Sequence, residues 1–198
     1  GGARWLRRAA LKGHLEAQNM LALCYLKGLG VERKPSTALK WWHKAGSNGH
    51  VGSMFNLARA HAGGYPQVPY DNATAAKWLK KAAHRGHTLS LFILGQWSSE
   101  GTVLGVPKDI PLAQTLLQRA ADKGHVPSWY SLGLLHDKGE DGLPKNQTLA
   151  FEMFHRAAEG GHIAGMFRVA QCLEECRGVE TANDQAANDW RRRLSRPP

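Results

Sequence analysis

Histidine is the residue type of this 198-residue chain best suited to catalysis or metal binding, and ten histidines are present. Half of them follow a glycine, at spacings of 36, 37, 38 and 37 residues: Gly13-His14, Gly49-His50, Gly86-His87, Gly124-His125 and Gly161-His162. A metal site needs ligands that converge on one ion, whereas residues at a fixed period are spread along repeated units. The spacing therefore predicts structural histidines just past helix C-termini, where the imidazole meets unpaired carbonyl groups.

The other residues able to do chemistry form no catalytic or metal-binding pattern. Five histidines have no carboxylate or thiol at a ligand spacing: His43, His61, His84, His136 and His155. Three cysteines are too few for a disulfide framework, and Cys24 and Cys172 share one repeat position, which predicts a buried apolar slot. Cys172 and Cys176 are four residues apart, so a weak metal or redox pair stays an alternative. Without a nucleophile elbow, Walker loop or Rossmann fingerprint, the sequence predicts no enzyme activity, metal or cofactor.

The period near 37 residues predicts a solenoid of helix–loop–helix units. A small residue stands three positions after each Gly-His histidine, a branched apolar residue seven positions after it and another small residue eight positions after it. This pattern forms one buried helix face. We name this helix A; it ends at a glycine, and a second helix, helix B, leads to the next Gly-His. The predicted single repeat domain 1–198 divides into a partial repeat at 1–14, full repeats at 15–50, 51–87, 88–125 and 126–162, and a degraded repeat with an Arg-rich tail at 163–198.

One stretch of the first full repeat carries a family resemblance. The segment from Tyr25 through Gly28-Leu-Gly30-Val31, followed by Trp41-Trp42-His-Lys-Ala45, resembles the SEL-like repeat, the suppressor-enhancer-of-lin variant of the tetratricopeptide solenoid. The resemblance covers nearly the whole chain, with Pro111 and the degraded last repeat as departures. It implies an all-α, right-handed superhelical solenoid of antiparallel helix–loop–helix repeats, and the non-catalytic adaptor function of that family.

Two N-glycosylation sequons are present, at Asn72 and at Asn146. Used sequons would indicate a secretory-pathway protein. Both asparagines also occupy the position that precedes helix B, where Asp109 and Asn183 stand in other repeats. Because an N-cap favours Asn and Asp for its own hydrogen bond, the sequence predicts that both asparagines are caps and the sequons by-products.

The net charge of +10 predicts attraction to acidic partners, nucleic acid or anionic lipid. A basic residue stands six positions before each Gly-His histidine, and the resulting ridge consists of Arg8, Lys44, Lys81, Arg119 and Arg156. A solvated ridge is the simpler interpretation of these five. The tail goes beyond the repeat, and we expect Trp190 to anchor the last helix while Arg191, Arg192, Arg193 and Arg196 point outward to an acidic partner or nucleic acid.

These patterns predict a protein-binding scaffold or adaptor, as a subunit or assembly factor of a larger complex. The alternatives are a nucleic-acid-associated subunit that binds phosphate through its basic residues, and an adaptor of the endoplasmic reticulum lumen. The expected partner contacts, besides the Arg tail, are Tyr25, Phe55, Trp97, Trp129 and Tyr130, whereas Trp5, Trp41, Trp42 and Trp78 are expected to pack internally.

The expected compartment is intracellular, with the mitochondrion favoured, because the chain is basic and poor in cysteine and shows no signal peptide. No apolar run approaches the roughly 20 residues that a membrane-spanning helix needs. The first residues lack an initiator Met, which indicates either a removed targeting segment or a piece of a longer chain.

Overall fold

A computed structural model describes residues 2–101, 105–140 and 142–194. These residues contain eleven α-helices and no β-strand. In chain order the helices are α1 Gly2–Leu11, α2 Leu15–Lys27, α3 Pro35–Ser47, α4 Val51–Arg59, α5 Asn72–His84, α6 Thr88–Glu100, α7 Ile110–Ala121, α8 Val126–Lys138, α9 Gln147–Glu159, α10 Ile163–Glu174 and α11 Asp184–Leu194. The even-numbered helices are the A helices and the odd-numbered ones the B helices, so the expected all-α helical repeat solenoid is confirmed.

Backbone contacts divide the chain into two compact units. Unit 1 comprises the described residues up to Ser90 together with Gly105 and Val106. Unit 2 comprises the described residues from Leu91 to Gly101 and from Pro107 onward. Arg196 of the predicted tail lies outside the described residues.

From α3 onward, a backbone hydrogen bond joins the start of each helix B to the region where the preceding helix A ends. The residue before helix B donates its backbone N–H to a carbonyl of that helix, as in Asp109 to Ser98 at 2.8 Å and Asn146 to His136 at 2.9 Å. Before α7 the same residue also caps helix B with its side chain: Asp109 Oδ1 accepts from the N–H of Leu112 at 2.9 Å. Asn146 and Asn183 do the same, as predicted. Lys34, before α3, makes no such cap.

The predicted cap at Asn72 is wrong. The cap of α5 is Asp71, whose carboxylate accepts from the N–H of Thr74 at 3.0 Å, and Asn72 is the first helical residue. The hydrogen bonds from backbone and side chain of Thr74 lower the pKa of Asp71. Capping thus accounts for the sequon at Asn146 but not for the one at Asn72.

Each Gly-His pair is a two-residue joint between helix B and the next helix A. The glycine has φ between 79° and 100°, a left-handed conformation that suits glycine, and its N–H donates to the carbonyl three residues earlier. The histidine N–H donates to the carbonyl five residues earlier, for example His162 to Ala157 at 2.9 Å. Both bonds together form a Schellman motif, which recurs at all five joints.

The imidazoles therefore do not meet the carbonyls at the end of helix B, and that prediction is wrong. The backbone N–H groups already satisfy these carbonyls, and the ring turns forward to the next helix A. Nδ1 accepts from the N–H three residues on at His50, His87 and His162, at 3.0, 3.3 and 3.1 Å. In these repeats histidine takes the N-cap role that Ser, Thr, Asn and Asp usually fill.

Small residues let the helices of each unit approach closely. A Cβ built on Gly133 of α8 would lie 2.5 Å from the Phe154 ring of α9, and one built on Gly46 would lie 3.3 Å from Trp78. Trp42 and Trp78 are buried, as predicted, at 0% and 5% exposure. Trp5 is 68% exposed, so its predicted packing role is wrong.

The predicted cysteine slot is correct for one of its two members. Cys172 is buried within a core cluster of unit 2, and burial raises the pKa of its thiol. Cys24 is only half-buried at the same repeat position, and Cys176 is exposed. All three are free thiols.

Candidate interaction surfaces

The joint histidines pack against aromatic rings of the preceding A helix. His87 lies 4.6 Å from the ring centre of Phe55, His125 lies 4.5 Å from Phe92, and His162 lies 4.6 Å from Tyr130. We call these three imidazoles the ring-packed histidines. Burial lowers the pKa of each, because a charged ring would be poorly solvated there. At His87 and His162 the neutral ring both caps the next helix A and packs against an aromatic ring.

At the joint of His50, a carboxylate takes the place of the aromatic ring. Asn19 stands where later repeats carry Phe or Tyr, and His50 pairs through Nε2 with Glu16 at 2.8 Å. The hydrogen bond from His50 holds the pKa of Glu16 below its usual value. Asn19 Oδ1 accepts from Trp42 Nε1 at 3.1 Å and from Asn56 Nδ2 at 3.0 Å, so the polar group at this joint is well bonded.

The five aromatic residues predicted as partner contacts, Tyr25, Phe55, Trp97, Trp129 and Tyr130, are all half-buried. Phe55 and Tyr130 receive ring-packed histidines, and Trp129 lies under Arg156 at 4.7 Å. Trp129 and Tyr130 also pack against the two core clusters of unit 2. These three rings therefore hold neighbouring helices together, and their role as partner contacts stays a prediction.

Sequence reasoning missed the most exposed apolar pair on the A helices. Ile163 and Phe167, one turn apart on α10, are 74% and 54% exposed. Phe167 stands five residues after its Gly-His, the same position as Phe55, Phe92 and Tyr130, and is more exposed than any of these three rings.

The arginine tail is less separate from the repeat than the sequence suggested. Arg193 stands 37 residues after Arg156 and lies over the ring of Trp190 at 4.4 Å, in the same way as Lys81 lies over Trp78. Trp190 is buried at 8% exposure, as expected of an anchor. Arg191 is ion-paired with Glu174, and Arg192 lies 3.4 Å from Asp189. The described arginines of the tail thus engage this chain's own acidic and aromatic residues.

Neither a metal site nor a membrane span emerges from the described part of the chain. No group of three His, Cys, Asp or Glu side chains there could hold a metal ion. None of the helices described combines the length and the apolar character needed to cross a bilayer.

Paired helices, Gly-His joints and loop glycines at a fixed period define the class of the protein: a helical-hairpin repeat protein of the tetratricopeptide type. The sequence profile of the Sel1 repeat matches residues 2–14, 15–50, 51–87, 88–125 and 130–162. The chain belongs to the Sel1 repeat family. Proteins of this family generally mediate protein–protein interactions and are typically non-catalytic.

Solved structures of the same family resemble the chain. A protective antigen of uropathogenic Escherichia coli shares 28% identity and a TM-score of 0.88 over 97% of this chain, which spans 40% of the antigen. A Sel1 repeat protein of Oxalobacter formigenes shares 28% identity and a TM-score of 0.81, with 92% of this chain and 70% of that protein covered. An immunity protein of Pseudomonas aeruginosa, at 20% identity, a TM-score of 0.56, and coverage of 97% and 71%, shows similarity of fold. No curated protein matches significantly.

Proposed function

We propose that this chain is a non-catalytic scaffold that binds other polypeptides within a larger assembly. The observation that carries the proposal is the exposed apolar pair Ile163 and Phe167 on α10. Full burial of an Ile or Phe side chain stabilises an interface by about 1.5–3 kcal/mol, so two of them supply a binding centre of useful strength. Membership of the Sel1 family supports a polypeptide as the occupant.

The surroundings of the pair suit a protein contact. On the same helix Arg168 donates to Gln171 at 3.3 Å, and Gln171 donates at 3.0 Å to Glu175, the residue that follows the helix. Protein–protein interfaces usually have apolar side chains at the centre and polar side chains at the rim. The ring-packed histidines and the caps hold the A helices in place, which keeps such a surface preorganised.

The experiment is affinity purification of the native complex with Ile163→Ser/Phe167→Ser. We expect recovery of partner proteins to fall by one to two orders of magnitude, because about 2 kcal/mol or more of apolar contact is lost. The matched control is Leu112→Ser/Leu149→Ser, which removes apolar side chains of 42% and 36% exposure from the B helices. Equal recovery with the α10 variant and the wild-type protein would contradict the proposed binding centre.

Two comparisons separate this function from the alternatives. Binding through apolar side chains changes little with salt, whereas phosphate binding falls steeply with the logarithm of salt concentration. Partner recovery that survives both nuclease and 500 mM salt, at which the Debye length is roughly one third of its value at 50 mM, supports the protein scaffold. For the compartment, mitochondrial residence remains our proposal, and mass spectrometry that finds glycan on Asn72 or Asn146 would replace it by the endoplasmic reticulum.

A further inference from the structure

The net positive charge of the chain comes from its first 90 residues. These contain 14 Lys and Arg against three acidic residues, a net charge of +11, while the remaining 108 residues contain 12 against 13, a net charge of −1. The division falls at the boundary between unit 1 and unit 2. The Arg-rich tail, which drew attention in the sequence, therefore belongs to a nearly neutral unit.

Within unit 1 the charge lies on one face of the B helices. Relative to each Gly-His histidine, cations stand ten positions earlier in all three B helices of the unit, at Arg4, Lys40 and Lys77. Cations also stand six positions earlier, at the ridge residues Arg8, Lys44 and Lys81. Seven positions earlier, α1 has Arg7 and α5 has Lys80, whereas α3 has His43. All these side chains are exposed, and α1, α3 and α5 contain no acidic residue. We name this set of nine positions, eight Lys or Arg and the histidine His43, the cationic grid.

The helix dipole explains only part of the grid. Cations near a helix C-terminus complement the dipole, which accounts for the position six residues before the histidine. Lys40 and Lys77, by contrast, lie in the middle of 13-residue helices. In unit 2 the same register position holds Thr115, Glu152 and Asp189, so the repeat itself does not require a cation there.

The grid is unfavourable for the isolated chain. Arg4 and Arg8 form a like-charged pair four residues apart on one helix, and α3 and α5 contain the equivalent lysine pairs. Such pairs destabilise a helix, and a concentration of one sign of charge destabilises the compact state. Unit 2 pairs its cations internally, through Lys108 and Lys138 with Glu140 for example. Among the described Lys and Arg residues of unit 1, the one that forms an ion pair is Lys34, with Glu32.

We infer that the cationic grid of unit 1 docks an acidic segment of a partner polypeptide. Negative charge on the partner would relieve the repulsion within the grid, and the repeated register offers cations on three successive B helices. The inference rests on the proposed scaffold function for the choice of a polypeptide as occupant. It concerns unit 1, whereas the apolar pair on α10 belongs to unit 2.

The tryptophans between the cations favour a polypeptide over single-stranded nucleic acid. Proteins that bind single strands stack the bases on open aromatic faces. Here the cations cover the rings: Lys44 lies 5.4 Å from the ring centre of Trp41, and Lys81 lies 4.4 Å from that of Trp78. Trp78 is buried, and His43 meets its ring edge-to-face at 5.3 Å. The third tryptophan of this register, Trp5, is 68% exposed with Arg8 at 5.2 Å from its ring centre. The grid therefore presents one open ring and not the series of aromatic faces on which successive bases stack.

The test measures binding of the full chain to a labelled 16-residue Glu-rich peptide by fluorescence anisotropy at about 150 mM salt. The comparison ligands are a 16-nucleotide single-stranded DNA, a 16-base-pair duplex and vesicles that contain anionic lipid. The grid variant is Arg4→Gln/Lys40→Gln/Lys77→Gln. We expect it to bind the peptide about ten-fold more weakly, since three exposed ion pairs contribute a factor of two to three each. The matched control, Arg119→Gln/Lys123→Gln/Lys145→Gln, removes the same charge from exposed sites of unit 2 and should bind like the wild-type protein.

Folding of the grid variant is checked by its melting temperature, which should equal or exceed that of the wild-type protein because like charges have been removed. Equal peptide affinity of grid variant and wild type would overturn the inference, as would equal losses in both triple variants. Tighter binding of DNA or vesicles than of the peptide would make the grid a phosphate-binding surface and overturn the choice of occupant. Failure of the α10 variant to lose partners would count against the scaffold function alone.

Discussion

Replacement of His87 by Ala is expected to destabilise the protein by about 2–4 kcal/mol. The side chain has three roles: Nδ1 accepts from the N–H of Ser90 at 3.3 Å, Nδ1 also accepts from the Ser90 hydroxyl at 3.0 Å, and the ring packs against Phe55 at 4.6 Å. Loss of a cap costs about 0.5–2 kcal/mol, loss of an aromatic contact about 0.5–1.5, and a buried hydroxyl left without a partner about 1–3. Ser90 is fully buried, so the last contribution applies, and the three are not fully additive.

The control for this prediction is His14→Ala. His14 is the exposed first member of the series and its side chain makes no cap hydrogen bond, so we expect a change within about 0.5 kcal/mol. Urea unfolding followed by circular dichroism at pH 8, where histidine is neutral, measures both variants. Equal stabilities of the two variants would refute the role assigned to the imidazole. A double-mutant cycle between His87 and Phe55 isolates the stacking contribution.

Three further predictions concern packing and pH. Gly133→Ala should lower the free energy of unfolding by about 1–3 kcal/mol, because the new Cβ would clash with Phe154. Gly124→Ala has open space around its Cβ but a φ of 83°, and it should lower the free energy of unfolding by about 1 kcal/mol. Urea unfolding of both variants compares them. Ala120→Asp buries an unpaired charge at a fully buried site and should cost about 3–5 kcal/mol by the same assay. Because burial lowers the folded-state pKa of the ring-packed histidines, their stabilisation is complete above about pH 6.5 and is lost as the pH falls through the folded-state pKa; a melting temperature independent of pH between 7.5 and 5 would contradict this.

The sequence predicts the repeat well because period and small-residue positions depend on local rules. A glycine required at positive φ and an alanine required between helices recur wherever the hairpin recurs. The direction of the imidazole was not predictable from the same rules. The glycine before it sets a left-handed turn, and that turn both brings the histidine N–H to the carbonyls and aims the ring at the next helix.

The error at Asn72 has a similar cause. Asp71 and Asn72 can both cap a helix, and only the hydrogen bond from Asp71 N–H to the carbonyl of His61 decides between them. A usable signal exists in hindsight: Lys34, Asp71, Asp109 and Asn146 each precede the next Gly-His histidine by 16 residues, and Asn72 does not.

Interaction surfaces were harder to predict than packing because exposure depends on what covers each residue. Phe55 and Phe167 share a repeat position, yet one is packed against an imidazole and the other is open. The tail arginines stand out in the sequence as a possible binding site, but Arg191 is ion-paired with Glu174 of the same chain. Grouping charges by structural unit, and not by their density along the chain, separates the cationic grid from the tail.

The scaffold function is tested most directly by a photo-crosslinking amino acid placed at Phe167 in the native host. At 54% exposure this site tolerates a benzoyl-phenylalanine ring without repacking the core. The account predicts discrete, light-dependent polypeptide adducts from position 167 and none from position 112, a site of comparable exposure on a B helix. Absence of polypeptide adducts at position 167, or identical adducts from both positions, would contradict a protein-binding surface on α10.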